Sequence, residues 1–133
     1  MGGIRPRVDT RSKILSVKQA LLLEPARPLV LVTGCFDILR ATHIRELAEI
    51  RTRSGAATLL IAVLPLAGEL LDQRSRAELV AALQMVDYVL TADHEDLAKI
   101  IGALHPLENV ALEPADALRI RQLIEHVHRR QSS

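Results

Sequence analysis

The chain has 133 residues, 49% of them hydrophobic, and its 17 basic and 16 acidic side chains leave a formal net charge of +1. That size and apolar content suit one soluble domain, and the near balance of charge leaves no surplus for a general polyanion binder. Phe36 and Tyr88 are the only aromatic side chains apart from the histidines, too few for a base-stacking platform or an aromatic cage, so no nucleic-acid partner is expected.

Residues 1–12 are rich in Arg and Gly without periodicity, and 131–133 are polar; both are expected to be flexible ends flanking one domain over 13–130. Ser16 offers a cap to a helix running to about Glu24, which Pro25 and Pro28 stop. Leu29-Val30-Leu31-Val32-Thr33 follows as a strand, its consecutive apolar side chains suiting burial on both faces. A helix is expected from Thr42 to about Arg53, with Ile44, Leu47 and Ala48 on one face and Gly55 closing it. A second buried strand covers 58–64 and ends at Pro65. A helix covers 75–85, and a third short strand 88–90. Asp93, with Asp96 three residues on, forms a capping-box pattern for a helix over 94–104. After Pro106 come a weak strand at 109–112 and, beyond Pro114, a last helix from about 115 to 128 or 129.

Alternating helices and strands of this kind predict an α/β fold, a parallel sheet of four to five strands with helices on both faces. Ligands in such sheets sit outside the carboxyl ends of the strands, where the topology switches direction. The loop Thr33-Gly34-Cys35-Phe36-Asp37 after the first long strand is therefore the place to look, with Arg40, Thr42 and His43 at the start of the next helix. Glycine admits a close approach to the backbone, and a helix N-terminus offers free N–H groups to phosphate. The same residues also fit a plain turn in which Cys35 and Phe36 are core.

The stretch from Val32 to Leu47 resembles the cytidylyltransferase-like nucleotidyltransferases, especially the heptose-1-phosphate adenylyltransferase domain of ADP-heptose synthase. That family's loop reads Asn/Thr-Gly-Cys-Phe-Asp, two apolar residues, then His-x-Gly-His. The similarity continues in Leu60-Ile61-Ala62-Val63, in the segment from Arg76 to Leu83 and in Val86-Asp87-Tyr88-Val89, and spans about 13–106 in order. It implies a Rossmann-like sheet of the nucleotidyltransferase type. It also implies transfer of a nucleotidyl group from ATP or CTP, with Mg²⁺, to a sugar or polyol phosphate, with release of pyrophosphate. Thr33, Gly34, Cys35, Phe36, Asp37, Thr42 and Arg76 would then contact nucleotide or phosphate, with His43 and Arg40 stabilising charge at the α-phosphorus.

Here the pattern is broken. Arg40 stands where the family has its first histidine and Thr42 where it has glycine, while His43 matches the second histidine. Leu64-Pro65-Leu66 replaces the family's polar turn after the second strand, and the later lysine-glycine and Ser/Thr-rich elements have no counterpart. A guanidinium at Arg40 still supplies positive charge, but the β-branched Thr42 fills space that glycine leaves open. Each oriented donor lost from such a site costs about 10²- to 10³-fold in rate, so the expectation is a nucleotidyltransferase-like domain with lost or much reduced activity. The alternative is a non-catalytic module that binds a nucleotide or phosphorylated metabolite, or that dimerises.

Other residues carry less. His126 and His128 are two apart on a helix and point in different directions, a poor metal pair. His94 and His105 stand isolated, and neither a zinc spacing nor a Ser-His-Asp arrangement can be drawn. With one cysteine, no disulfide forms within the chain; Met-Gly-Gly-Ile-Arg-Pro-Arg leads into no apolar segment. The longest apolar stretch, 59–67, is far short of the roughly 20 residues of a membrane span. A cytoplasmic protein without membrane contact is expected.

Overall fold

The computed structural model describes residues 9–23, 28–36, 41–66, 68, 71–112, 122 and 124–130. Five parallel strands make one sheet: β1 (Ile14–Leu15), β2 (Leu29–Gly34), β3 (Thr58–Val63), β4 (Tyr88–Thr91) and β5 (Glu108–Ala111), in the order β1-β4-β3-β2-β5. Connecting them are the helices α1 (Val17–Leu21), α2 (Ala41–Ser54), α3 (Gln73–Ala81) and α4 (His94–Leu104), and residues 124–130 are helical as well. The parallel α/β architecture is the one the alternating pattern predicts. The last predicted helix is described only in that second half, and the segments 1–8 and 131–133 lie outside the described residues.

All six residues of β2 are buried, and so are five of the six in β3. Their side chains divide between two cores. Val30, Val32, Leu59 and Ile61 pack with Leu47 and Ile50 of α2 and Ala77 and Val80 of α3. Leu29, Leu31, Leu60 and Ala62 pack with Leu97, Ile100 and Ile101 of α4, and Ile124 and Val127 lie against this second cluster. An unbroken apolar run is the sequence signature of a strand covered in this way on both faces.

Several boundaries differ from expectation for local reasons. β1 is a two-residue edge strand, paired through Ile14 with Val89 and Leu15 with Leu90, in a stretch to which the sequence pattern assigns no element. Ser16 caps α1 in a full capping box with Gln19, but the helix ends at Leu21. The cap of α3 is Asp72, whose carboxylate accepts the N–H of Ser75 at 2.7 Å. That starts the helix at Gln73 and lets it finish at Ala81, earlier at both ends than 75–85. α4 carries the predicted capping box of Asp93 and Asp96, and α2 ends before Gly55, whose φ of +59° suits the left-handed turn that closes a helix.

The amino edge of the sheet has a lock of its own. Asp87 Oδ2 accepts the N–H of Leu59 at 2.8 Å and Arg51 Nη1 at 3.0 Å. Arg51 also donates to the carbonyls of Met85, Gly55 and Ala57, so one ion pair ties the end of α2 to the starts of β3 and β4.

Candidate functional site

The strand order decides where a ligand sits. From β2 the chain steps through β3 to β4 on one side, then returns to add β5 on the other. The crevice between the carboxyl ends of β2 and β5 is thus the topological switch point. Thr33 and Gly34 end β2 there, Cys35 and Phe36 follow, and α2 begins at Ala41. The amide of Leu112, just past β5, donates to the Thr33 carbonyl at 3.0 Å and closes the floor of the crevice.

Phe36 organises this loop. Its φ of +53° is the left-handed region, which costs a non-glycine residue on the order of 1–3 kcal/mol and persists only where the surroundings hold it. The ring turns back into the core, 1% exposed, and lies over Gly34. A Cβ on Gly34 would stand 2.8 Å from Phe36 Cε2 and 2.9 Å from Cζ. The close approach that makes glycine necessary here comes from the protein's own ring. The imidazole of His43, half-buried in the first turn of α2, meets that ring edge to face, with centroids 5.6 Å apart and planes at 64°. Gly34, Phe36 and His43 therefore form one contact group at the switch point.

Thr33 is 1% exposed, and its Oγ1 has no hydrogen-bond partner. Its neighbours across the ladder are Ala62 and Ala111. An orphaned buried hydroxyl costs on the order of 1–3 kcal/mol, so a polar group is held at the crevice without an internal partner. Cys35 is half-buried, with Sγ 4.0 Å from the Pro65 carbonyl oxygen.

The resemblance implies a phosphate contact for Arg76, and arginine is a residue type found mostly at the surface. Instead its side chain is 0% exposed. Nη1 donates to the carbonyls of Cys35 at 2.6 Å and Leu64 at 2.8 Å, and Nε to that of Leu71 at 3.1 Å. One turn earlier, Gln73 Nε2 donates to the carbonyls of Val63 at 2.8 Å and Ala92 at 3.3 Å. Sequence reasoning passed over Gln73 entirely; its position at the first turn of a helix that follows a strand end is the only signal it gave. Asp72, capping the same turn, is held below the usual carboxylate range, chiefly by the backbone N–H of Ser75, with the Ser75 hydroxyl and the charge of Arg76 adding to the effect.

Asp37 and Arg40 lie outside the described residues, as does the side chain of Thr42. Among the described residues no group of three His, Cys, Asp or Glu side chains is placed to hold a metal ion. A separate groove of about 580 Å³ runs between α4 and residues 124–130, lined by His94, Lys99, Gly102, His126, Val127 and Arg130. His128 borders a different one of about 190 Å³, so the two histidines diverge as their spacing dictates. Arg74 forms an exposed pair with Glu78 at 3.5 Å, and no described helix is long and apolar enough to cross a membrane.

Comparison with known proteins gives a consistent picture. The chain is 32% identical over 111 residues to the bifunctional protein HldE of Citrifermentans bemidjiense, covering 74% of this chain and 22% of that protein. It is 28% identical over 117 residues to that of Helicobacter pylori, 83% and 25%, and 34% identical over 85 residues to that of Pelobacter propionicus, 59% and 17%. The chain thus spans about a quarter or less of the length of these relatives. Among solved structures it is similar to the lipopolysaccharide core biosynthesis protein of Thermoplasma volcanium, with a TM-score of 0.53 and 26% identity over 61% of this chain and 70% of that one. No family model matches. The resemblance read from the motif and the nucleotidyltransferase type of the sheet are both borne out.

Proposed function

We propose, from the premise that this chain is a nucleotidyltransferase-like α/β domain similar to the adenylyltransferase domain of ADP-heptose synthase, that it binds a nucleotide or phosphorylated metabolite in the β2/β5 crevice with little or no nucleotidyl transfer. The observation that carries this reading is the contact group of Gly34, Phe36 and His43 at the switch point. This ordered group supports retention of one half of a phosphate-handling site, while the sequence at Arg40 and Thr42 departs from what transfer in the resembled enzymes uses.

In the reaction of the resembled enzymes, a phosphate oxygen of the acceptor attacks the α-phosphorus of the triphosphate and pyrophosphate leaves. Charge grows on the non-bridging oxygens, and fixed donors stabilise it. His43, in contact with the Phe36 ring, would donate to such an oxygen, and the N-terminal turn of α2 would add N–H groups and a favourable dipole. Arg40 brings charge, though from a longer and differently shaped side chain than the imidazole the family uses. Leu64 and the exposed Pro65 and Leu66 offer only backbone polar groups after β3. Binding through one flank of the phosphate chain survives this loss better than rate acceleration does, because several missing donors multiply in their effect on turnover.

Mg²⁺ enters this reading with the triphosphate, held by phosphate oxygens and water as hard, reluctantly dehydrated cations are. The described loop side chains offer sulfur and imidazole, not a carboxylate cage.

Calorimetric titration with ATP and with CTP, paired with a pyrophosphate-release assay over a panel of sugar and polyol phosphates, tests the proposal. Saturable binding with no release above background is the expected outcome. Sustained release with any acceptor overturns the loss of activity; failure of both nucleotides and of the phosphates to bind overturns the site.

A further inference from the structure

At the carboxyl edge of the sheet, Arg76 acts on the backbone in a way that the resemblance does not imply. Two side chains one turn apart on α3 reach back into the edge and donate to five backbone carbonyls: Gln73 to Val63 and Ala92, and Arg76 to Cys35, Leu64 and Leu71. Their targets differ. Gln73 joins the ends of β3 and β4, away from the crevice. Of these two, Arg76 is the one that spans from α3 to the loop that follows β2.

We infer that Arg76 is a positioning residue for the crevice, fixing the Gly34–Phe36 loop through the Cys35 carbonyl and so setting where Phe36 holds His43. The inference rests on the binding role proposed above and specifies how that site keeps its shape. Phe36 occupies a left-handed conformation, so the loop relaxes unless its peptides are restrained on either side. On the strand side, Leu64 N–H donates to the Gly34 carbonyl at 3.0 Å. On the far side, the Cys35 carbonyl points into a fully buried guanidinium at 2.6 Å, shorter than the contacts to Leu64 and Leu71. A planar fork can hold carbonyls in different directions at once; an ammonium on a flexible stem cannot reproduce that arrangement. A short, charge-assisted bond inside a low-dielectric core is also stronger than an exposed one.

Cys35 makes the inference measurable, because it is the only cysteine and is half-buried in the restrained loop. Its rate of reaction with a disulfide reagent such as DTNB reads loop opening without requiring any ligand. Arg76→Met removes the donors and keeps the bulk; Arg76→Lys keeps the charge and loses the fork; Gln73→Met cuts the neighbouring carbonyl contacts without touching the loop after β2. Arg76→Met is expected to raise the labelling rate by about tenfold or more and to weaken ATP or CTP binding by about tenfold, with Arg76→Lys between it and wild type. Gln73→Met should lower stability while leaving both readouts within about twofold of wild type.

Equal effects of Gln73→Met and Arg76→Met would show general loosening and overturn the positioning role, as would wild-type labelling in Arg76→Met. If Arg76→Met does not fold, Arg76→Lys decides by the same comparison: wild-type labelling refutes the inference, and faster labelling than in Gln73→Met supports it. If the wild-type protein binds neither nucleotide, the binding role fails separately, and the labelling arm still decides whether Arg76 fixes the loop.

Discussion

Replacing Gly34 by alanine is the sharpest test of the loop geometry. Gly34 does not occupy a left-handed conformation, so alanine carries no backbone penalty there and would ordinarily stabilise by about 0.4–1 kcal/mol through the unfolded chain. Against this stands the Phe36 ring, with Cε2 at 2.8 Å, Cζ at 2.9 Å and Cδ2 at 3.3 Å from the new methyl carbon. Comfortable carbon contacts lie near 3.5–4.0 Å, so the ring must retreat by about 0.7–1 Å. It has little freedom to do so, being buried among Val30, Val32, Leu47 and Ala77, and overpacking of that sort costs about 1–3 kcal/mol. Subtracting the midpoint of the unfolded-state gain, about 0.7 kcal/mol, from the midpoint of the overpacking cost, about 2 kcal/mol, leaves a net loss of about 1.3 kcal/mol for Gly34→Ala. Urea unfolding should show a lower midpoint at unchanged m-value. Phe36→Leu removes the offending ring edge, so in that background the alanine should cost less than about 0.5 kcal/mol, giving a clear coupling in the double-mutant cycle. An alanine that is neutral or stabilising in the wild-type background, or equally costly in both, would refute the account of why glycine stands here.

The lock at the amino edge should behave as a coupled pair. Asp87→Ala is expected to cost about 1–2 kcal/mol in urea unfolding, the range for hydrogen bonds to a charged acceptor reduced for partial exposure, and most of that loss should vanish in an Arg51→Ala background. Acid stability is set in part by the caps. The carboxyl of Asp93 is held below its ordinary value, first by the N–H of Asp96, and that of Asp72 by the N–H of Ser75. A depressed folded-state pKa gives stability that is present above the unfolded value of about 3.9 and disappears as pH falls through the folded value. Melting temperatures between pH 6 and 2 should therefore fall less steeply for Asp93→Asn, which keeps a capping oxygen and does not titrate, than for wild type; parallel curves would exclude the cap as a source of the acid sensitivity. Restoring the family pattern with Arg40→His and Thr42→Gly together should tighten ATP or CTP binding in calorimetry with little gain in pyrophosphate release, because the apolar turn after β3 remains. Strong turnover in that variant would place the whole defect at these two positions.

The legible parts of the fold were those written as local pattern. Leu29 to Val32 and Leu59 to Val63 read as buried strands because both faces of a central strand are covered, and Asp93 with Asp96 announced α4 because a cap is a matter of three neighbouring residues. β1 escaped because two residues carry no periodicity; it exists through its pairing with Val89 and Leu90, which is tertiary. At the site, the motif located Gly34, Phe36 and His43 but not their relation, since the ring that crowds Gly34 does so by a left-handed turn that composition does not encode. Arg76 was read as a phosphate contact by resemblance, against the general exposure of arginine. Only the fold shows three backbone carbonyls converging on it.

The strand order has a further consequence for how the crevice comes into being. β2, β3 and β4 are joined by successive crossovers, but β5 must return past both of them to pair with β2, some 78 positions along the chain from Val30 to Glu108. Closing that span, like the similar one from Ile14 to Val89 that pairs β1 with β4, is an entropically late step. β5 is also only half-buried along its length, pairing with β2 alone among the described strands, whereas β2 is buried throughout. The β5 wall of the candidate crevice is thus joined to the sheet along one side only, so a molecule that bridged both walls would act on the docking of this edge strand as well as filling the cleft.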